Sequence, residues 1–331
     1  SELKQVSTAT PLMGWNQGEK VWVDSDENDK WAVFYKNEPW SSTGTKSTSG
    51  VVANGNLGQA VAISQGGGQA LVGAPQSSTG KVVPYNRTTS GGALQEANSI
   101  TVADINSSVD SYGAAIGLGL QYAAVGAPDT ATNKGAVFVY SVGSDGVLTH
   151  FQNIIGNTGE NFGTQVHVTG NDRYLFVTAP GVNKIYTYQY ESLPTTQQRS
   201  YTATGDGSTK QFALGFTPVH VSALYLVDSD GKTYFPSSDF TISGSNITFT
   251  TAPASALKVV VRQNSYFRQT DTVTVAGIGG SDALGTSFDA TYEGNTIIAG
   301  APFATVNSVA NAGQAHVFDQ VIETFIGDAV T

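Results

Sequence analysis

Residues 112–128 read Tyr112-Gly113-Ala114-Ala115-Ile116-Gly117-Leu118-Gly119-Leu120-Gln121-Tyr122-Ala123-Ala124-Val125-Gly126-Ala127-Pro128. Past a polar link comes Gly135-Ala136-Val137-Phe138-Val139-Tyr140. The order is an aromatic before glycine, an apolar alternation, a small-small-proline stop, and a second glycine ahead of a strongly apolar strand. Ala136 to Tyr140 is apolar on both alternating sides, so a strand here needs cover on both faces.

The same order recurs along the chain. Leu57-Gly58 leads to Val72-Gly73-Ala74-Pro75, Phe162-Gly163 to Val177-Thr178-Ala179-Pro180, and Leu284-Gly285 to Ala299-Gly300-Ala301-Pro302. From the first glycine to the residue before Ala-Pro the distances are 15, 13, 15 and 15 residues. Apolar strands follow at Gly80 to Tyr85, Ile185 to Tyr188 and Gly313 to Phe318. Repeats of about 40–50 residues that cannot bury their own faces imply stacking on copies of themselves. Small antiparallel sheets repeated around an axis form a β-propeller; one large β-sandwich is the plainer alternative, and it has no need of four such stops.

The Gly-Ala-Pro stops at 73–75, 126–128 and 300–302, the Thr-Ala-Pro variant at 178–180 and the Phe-Gly at 162–163 resemble the FG-GAP repeat family, whose blades build integrin α-chain propellers and many bacterial and viral surface proteins. The resemblance covers about 200 residues and implies an all-β, FG-GAP-like β-propeller of four recognisable blades plus a partial one. Many family blades carry an Asp-rich calcium loop. Here the corresponding stretches are Ser64 to Gly68, Gly117 to Gly119, Thr169 to Asp172 and Tyr292 to Asn295. They offer few of the six to eight oxygens that calcium takes, and read as tight hairpin turns.

The repeat origins are 55, 50 and 122 residues apart, so about 72 residues are inserted before the last repeat. The excess lies near 199–270 and contains six or seven short strands. The Asp-Gly turn at Asp230-Gly231 and the runs Phe240 to Ser243, Ile247 to Thr250 and Lys258 to Arg262 mark a small β-sandwich. The expected division is therefore 1–198 for the first propeller part, 199–270 for the inserted module and 271–331 for the last blade. The Gly-Asp-Gly-Ser-Thr opening at 205–209 and the Ile-Thr-Phe-Thr-Thr-Ala-Pro ending at 247–253 resemble modules of phage tail-fibre and other virion proteins. Residues 1–56 are expected to hold two strands, Lys20–Val23 and Trp31–Lys36, in an incomplete blade. All four tryptophans (Trp15, Trp22, Trp31 and Trp40) lie there, as buried anchors or as stacking platforms for sugars.

Composition narrows the function. Among 331 residues 16 are basic and 26 acidic, a net charge of −10, which disfavours nucleic acid as a partner and an anionic membrane surface. No apolar run is long enough to span a bilayer. The absence of cysteine removes disulfides, thiolate metal sites and a cysteine nucleophile, and suits an extracellular or particle-borne protein.

No catalytic constellation stands out. His150, His167, His220 and His316 are isolated in sequence, and His316 reads as a satisfied imidazole on a buried strand. No Gly-x-Ser-x-Gly elbow or phosphate-binding loop is present, and the acids show no paired arrangement. Asp24, Asp26 and Asn28 occupy positions 1, 3 and 5 of a possible loose calcium site, although the glycine and the final glutamate of the helical calcium loop are missing. Asp228 and Asp230 form a weaker candidate.

The resemblance thus implies a non-enzymatic structural component of a phage virion, in a tail, fibre or baseplate appendage. Its localisation would be the particle, and its partners other virion proteins, copies of itself, or a host surface glycan or protein. The inserted module would project to make contact. A secreted bacterial adhesin or glycan-binding propeller is the alternative, and a carbohydrate-active enzyme the third class.

Overall fold

The computed structural model describes residues 55–75, 80–87, 93–97, 110–129 and 133–320, together with the backbone of four further short strands. The chain divides into two compact units, Ser1–Lys46 and Ser47–Thr331. In the first, β1 (Gln5–Val6) pairs in parallel with β2 (Lys20–Val23), and β2 pairs antiparallel with β3 (Lys30–Val33), Trp22 opposite Trp31. β3 begins one residue before the expected start at Trp31. Asp24, Asp26 and Asn28, and the tryptophan side chains, lie outside the described residues.

In the second unit each repeat forms one antiparallel sheet. The first consists of β4 (Ala60–Ile63), β5 (Gln69–Ala74), β6 (Lys81–Asn86) and β7 (Gln95–Glu96), with β8 (Ile100–Thr101) also on β6. The second is β9 (Ala115–Leu118), β10 (Tyr122–Ala127), β11 (Ala136–Val142) and β12 (Leu148–Ile155). The third begins with β13 (Val166–Val168), β14 (Tyr174–Ala179) and β15 (Lys184–Glu191). The strands β16 (Arg199–Thr204), β17 (Gln211–Ala213), β18 (Leu224–Asp228), β19 (Phe240–Ser243), β20 (Asn246–Phe249) and β21 (Lys258–Gln263) then intervene. The third sheet is completed by β22 (Tyr266–Val273), paired with β15. The fourth has β23 (Ser287–Ala290), β24 (Thr296–Ala301) and β25 (Gln314–Asp319).

The repeated glycines explain themselves in the backbone. Gly58, Gly113, Gly163 and Gly285 have φ of 97°, 94°, 90° and 92°, a region that favours glycine. In each repeat that glycine's amide donates to the carbonyl of the stop residue: Gly58 to Gly73, Gly113 to Gly126, Gly163 to Thr178 and Gly285 to Gly300, at 2.9–3.0 Å. The spacing of 13 in the second repeat also has a simple cause. Its hairpin runs from Gly119 to Tyr122, with two residues between, whereas Ser64–Gln69, Thr169–Tyr174 and Thr291–Thr296 enclose four. Gly117 and Leu118, read from sequence as part of a loop, are therefore the end of β9.

Successive sheets share cores. Leu71 and Val82 pack with Val125, Phe138 and Tyr140. Ala124, Val137 and Val139 pack with Val166, Leu175 and Val177. Tyr174, Phe176 and Ile185 pack with Leu284, Ile297 and Ala299. Ala136 to Tyr140 is buried throughout, as its two-faced apolar pattern requires. Burial of Val137, Phe138 and Val139 contributes roughly 1.5–3 kcal/mol for each side chain.

The intervening strands form two three-stranded sheets, β16-β21-β18 and β17-β20-β19, over one core of Leu226, Phe240, Ile247, Phe249, Val259 and Val261. This module does not simply project. Phe235 packs edge-on against Phe138 at 5.6 Å, Tyr225 lies 5.0 Å from the ring of His150, and Asn153 Nδ2 donates to the carbonyl of Tyr234.

Candidate functional site

That docking creates a cleft of about 730 Å³ where the end of β12, the third sheet and the inserted module meet. Asn157 and its neighbours come from the end of β12, Tyr188 from β15, Gln269 to Thr272 from β22, and His220, Ser222, Ser237 and Ser238 from the module. Of the lining residues only Lys134 and Asp271 are lysine, arginine or carboxylate types, and apart from the His220 imidazole the rest of the polar lining is amide and hydroxyl.

His220 is held in a defined orientation. Its ring stacks on Tyr266 at 5.6 Å with 9° between planes, and Nδ1 accepts from the amide of Ser222 at 3.1 Å. An accepting Nδ1 places the proton of the neutral ring on Nε2. Burial, and then the charge of Arg268, hold its pKa below the ordinary histidine value. It therefore presents a neutral N–H donor near pH 7. Asp271 Oδ1 accepts from the amide of Thr272. Asp271 and Thr270 also line a second cavity of about 530 Å³ between the third and fourth sheets, beside Tyr174, Phe176 and Phe318.

Other sequence candidates have structural roles. His150 contacts Asn153 Oδ1, stacks with Tyr140, and has its pKa pushed down to about 4 by burial. His167 Nδ1 lies 3.5 Å from Asp289, and burial lowers its pKa. His316 departs from expectation: its Nε2 is buried with no hydrogen-bond partner among the described residues. Asp228 closes its own hairpin, accepting from the amides of Asp230 and Lys232 and from the Tyr234 hydroxyl. The four repeat turns are hydrogen-bonded hairpins. Among the described residues no group of three or more His, Asp and Glu side chains could hold a metal ion. No helix there is long and apolar enough to cross a membrane.

Sequence reading missed the cleft because its residues come from six separated segments. His220 and Asp271 carried no local motif. The only signal was the presence of an insertion, which had to meet its host somewhere.

No family model matches the chain, and no curated protein does. Solved structures that resemble it include a candidate 6-phosphogluconolactonase from Bacteroides fragilis, at 11% identity and TM-score 0.35 over 79% of this chain and 67% of that one. The periplasmic gluconolactonase of Pseudomonas aeruginosa gives 15% and 0.33, over 72% and 64%. A candidate 6-phosphogluconolactonase from Bacteroides uniformis gives 11% and 0.35, over 80% and 68%. The chain thus spans about two thirds of the length of each. Likeness of this order assigns neither activity nor substrate.

These findings correct the expectation of a non-enzymatic virion component. These three proteins bear the names of gluconolactonases or 6-phosphogluconolactonases, none is named as a phage protein, and the FG-GAP and tail-fibre resemblances find no counterpart among them. What stands is an all-β chain of small antiparallel sheets.

Proposed function

We propose that residues 55–320 form a propeller-type array of four blades with a small β-sandwich inserted before the last strand of the third. In this reading the cleft at the joint binds a small, hydroxyl-rich molecule of the sugar or sugar-acid class. The supporting observation is the chemistry of the cleft wall. Amides and hydroxyls from three packed elements converge on one space with few charges, which suits a ligand that is itself a dense set of donors and acceptors.

A sugar lactone is the first compound to test, prompted by the names of the structural neighbours and chemically compatible with two residues of the wall. Hydrolysis of a lactone adds water to the carbonyl carbon and breaks the ring C–O bond. Asp271 would take the proton of the attacking water and return it to the ring oxygen as the C–O bond breaks, giving the hydroxy acid, while the Nε2–H of His220 would hydrogen-bond to the carbonyl oxygen as negative charge gathers there.

The test is titration calorimetry of the chain with gluconate and glucose, together with acid release from gluconolactone followed at constant pH. Binding of either sugar compound, weakened about tenfold or more in H220A and D271N, is the expected result; tenfold corresponds to ~1.4 kcal/mol. Lactone turnover that falls in D271N would establish the enzymatic reading. No binding, together with acid release no faster than in buffer, would overturn the proposal.

A further inference from the structure

The four repeat sheets meet one another through three junctions of one design, and among the described residues the inner strands at the two ends of the series show the halves of that design without a partner. At the first two junctions the stop glycine of one sheet abuts the origin glycine of the next. A Cβ on Gly73 would strike the carbonyl of Gly113, and a Cβ on Gly126 that of Gly163. At the third, Thr178 takes the stop position and its side chain lies against Gly285. The two outer members differ. A Cβ on Gly58 would meet nothing within 4 Å, and one on Gly300 would approach only Ser287 of its own sheet.

The side chains tell the same story by register. In the inner strand of each sheet one alternating pair faces the preceding sheet. Ile116 and Leu118 are packed into the first junction, Val166 and Val168 are 6% and 2% exposed in the second, and Phe288 and Ala290 pack into the third. The equivalent pair in the first sheet is Val61 and Ile63, opposite Val72 and Ala70, and it is 67% and 62% exposed. On the far side of the fourth sheet, Ile298 and Val317 are paired in register and 45% and 62% exposed. Val83 and Tyr85 on the outer part of the first sheet are already buried. The bare part is the inner strand, and inner strands make the internal junctions: β9 contacts β4 and β5, and β13 contacts β9 and β10.

We infer that the Ile298–Val317 face of one copy packs on the Val61–Ile63 face of a second copy, repeating between chains the junction made three times within one. Such a contact is heterologous, joining head to tail, and it closes into a ring or extends according to the rotation per step.

The test is the mass in solution of the full chain, by light scattering after gel filtration and by sedimentation over a range of concentrations. The expected result is concentration-dependent association, lost in a V61E/I63E variant and in an I298E/V317E variant, each still folded by circular dichroism. A mixture of the two variants retains one intact face of each kind and is expected to form a one-to-one dimer and nothing larger. A chain that stays monomeric at all concentrations would overturn the inference. So would association that survives both variants, or a mixture that remains monomeric, which would indicate two-fold rather than head-to-tail contact.

Discussion

Gly126 lies flat against Gly163, whose carbonyl oxygen fills the space that a side chain on Gly126 would occupy. Gly163 in turn uses a φ of 90° and donates its own amide to Thr178. Two neighbouring sheets are thereby brought to backbone contact at the inner end of their junction.

Gly126→Ala is expected to force these sheets apart and to cost about 1–3 kcal/mol, as overpacking in a filled core does. Gly58→Ala meets no such obstacle and carries only the strain of its positive φ. Thermal or urea denaturation of the two variants should show the larger loss in Gly126→Ala; equal losses would mean that the close approach contributes nothing.

Asp172 bonds one repeat turn to the next. Its carboxylate accepts from the amides of Leu120, Gln121 and Tyr122 at 2.9, 2.7 and 3.3 Å. Those amides belong to the shortened turn of the second repeat. Asp172→Ala removes both acceptor oxygens, and with them all three hydrogen bonds, from a partly buried site, and a loss of about 1–3 kcal/mol is expected. Hydrogen exchange at the three amides should rise selectively, and unchanged protection there would refute the assignment.

His150 makes the joint with the inserted module sensitive to acid. Its folded pKa of about 4 lies below the ordinary value of 6.5 because burial disfavours the charged ring. The unfolded chain therefore binds a proton that the folded chain refuses. The contribution to stability is complete above about pH 6.5 and is lost progressively as pH falls toward 4, by about 1–3 kcal/mol. Denaturation at pH 7 and pH 5 measures it. In His150→Phe this part of the slope should vanish; an unaltered slope would place the acid sensitivity elsewhere.

Phe235 couples the module to the second sheet. Its side chain is 3% exposed and packs on Phe138. Phe235→Ala is expected to cost about 3–5 kcal/mol in the region of the joint. If the module's own core of Phe240, Ile247 and Val261 holds independently, calorimetry should then resolve two transitions where the parent chain shows one. A single, unshifted transition would contradict the coupling.

Much of the local architecture was legible in the residues because it rests on backbone demands. Origin glycines require positive φ, stop residues end strands, and Ala136 to Tyr140 cannot leave either face in water. The runs Phe240 to Ser243 and Lys258 to Arg262 formed strands because β-branched and aromatic residues are concentrated there. The candidate site was not legible. His220 and Asp271 are 51 positions apart, and neither has a neighbour in sequence that signals a shared cavity.

The order of repeats, the origin and stop positions of each, and an interruption between the third and fourth repeats were determined by the chain itself, through conformational preference and alternation that act within a few residues. Only the tertiary structure decided which faces met. The module folded down onto His150 and Phe138, the cleft opened beside Asp271, and Val61 and Ile63 stayed bare while their equivalents were covered. Burial and cavity shape arise from contacts between distant segments, and such contacts leave no periodic trace in a sequence.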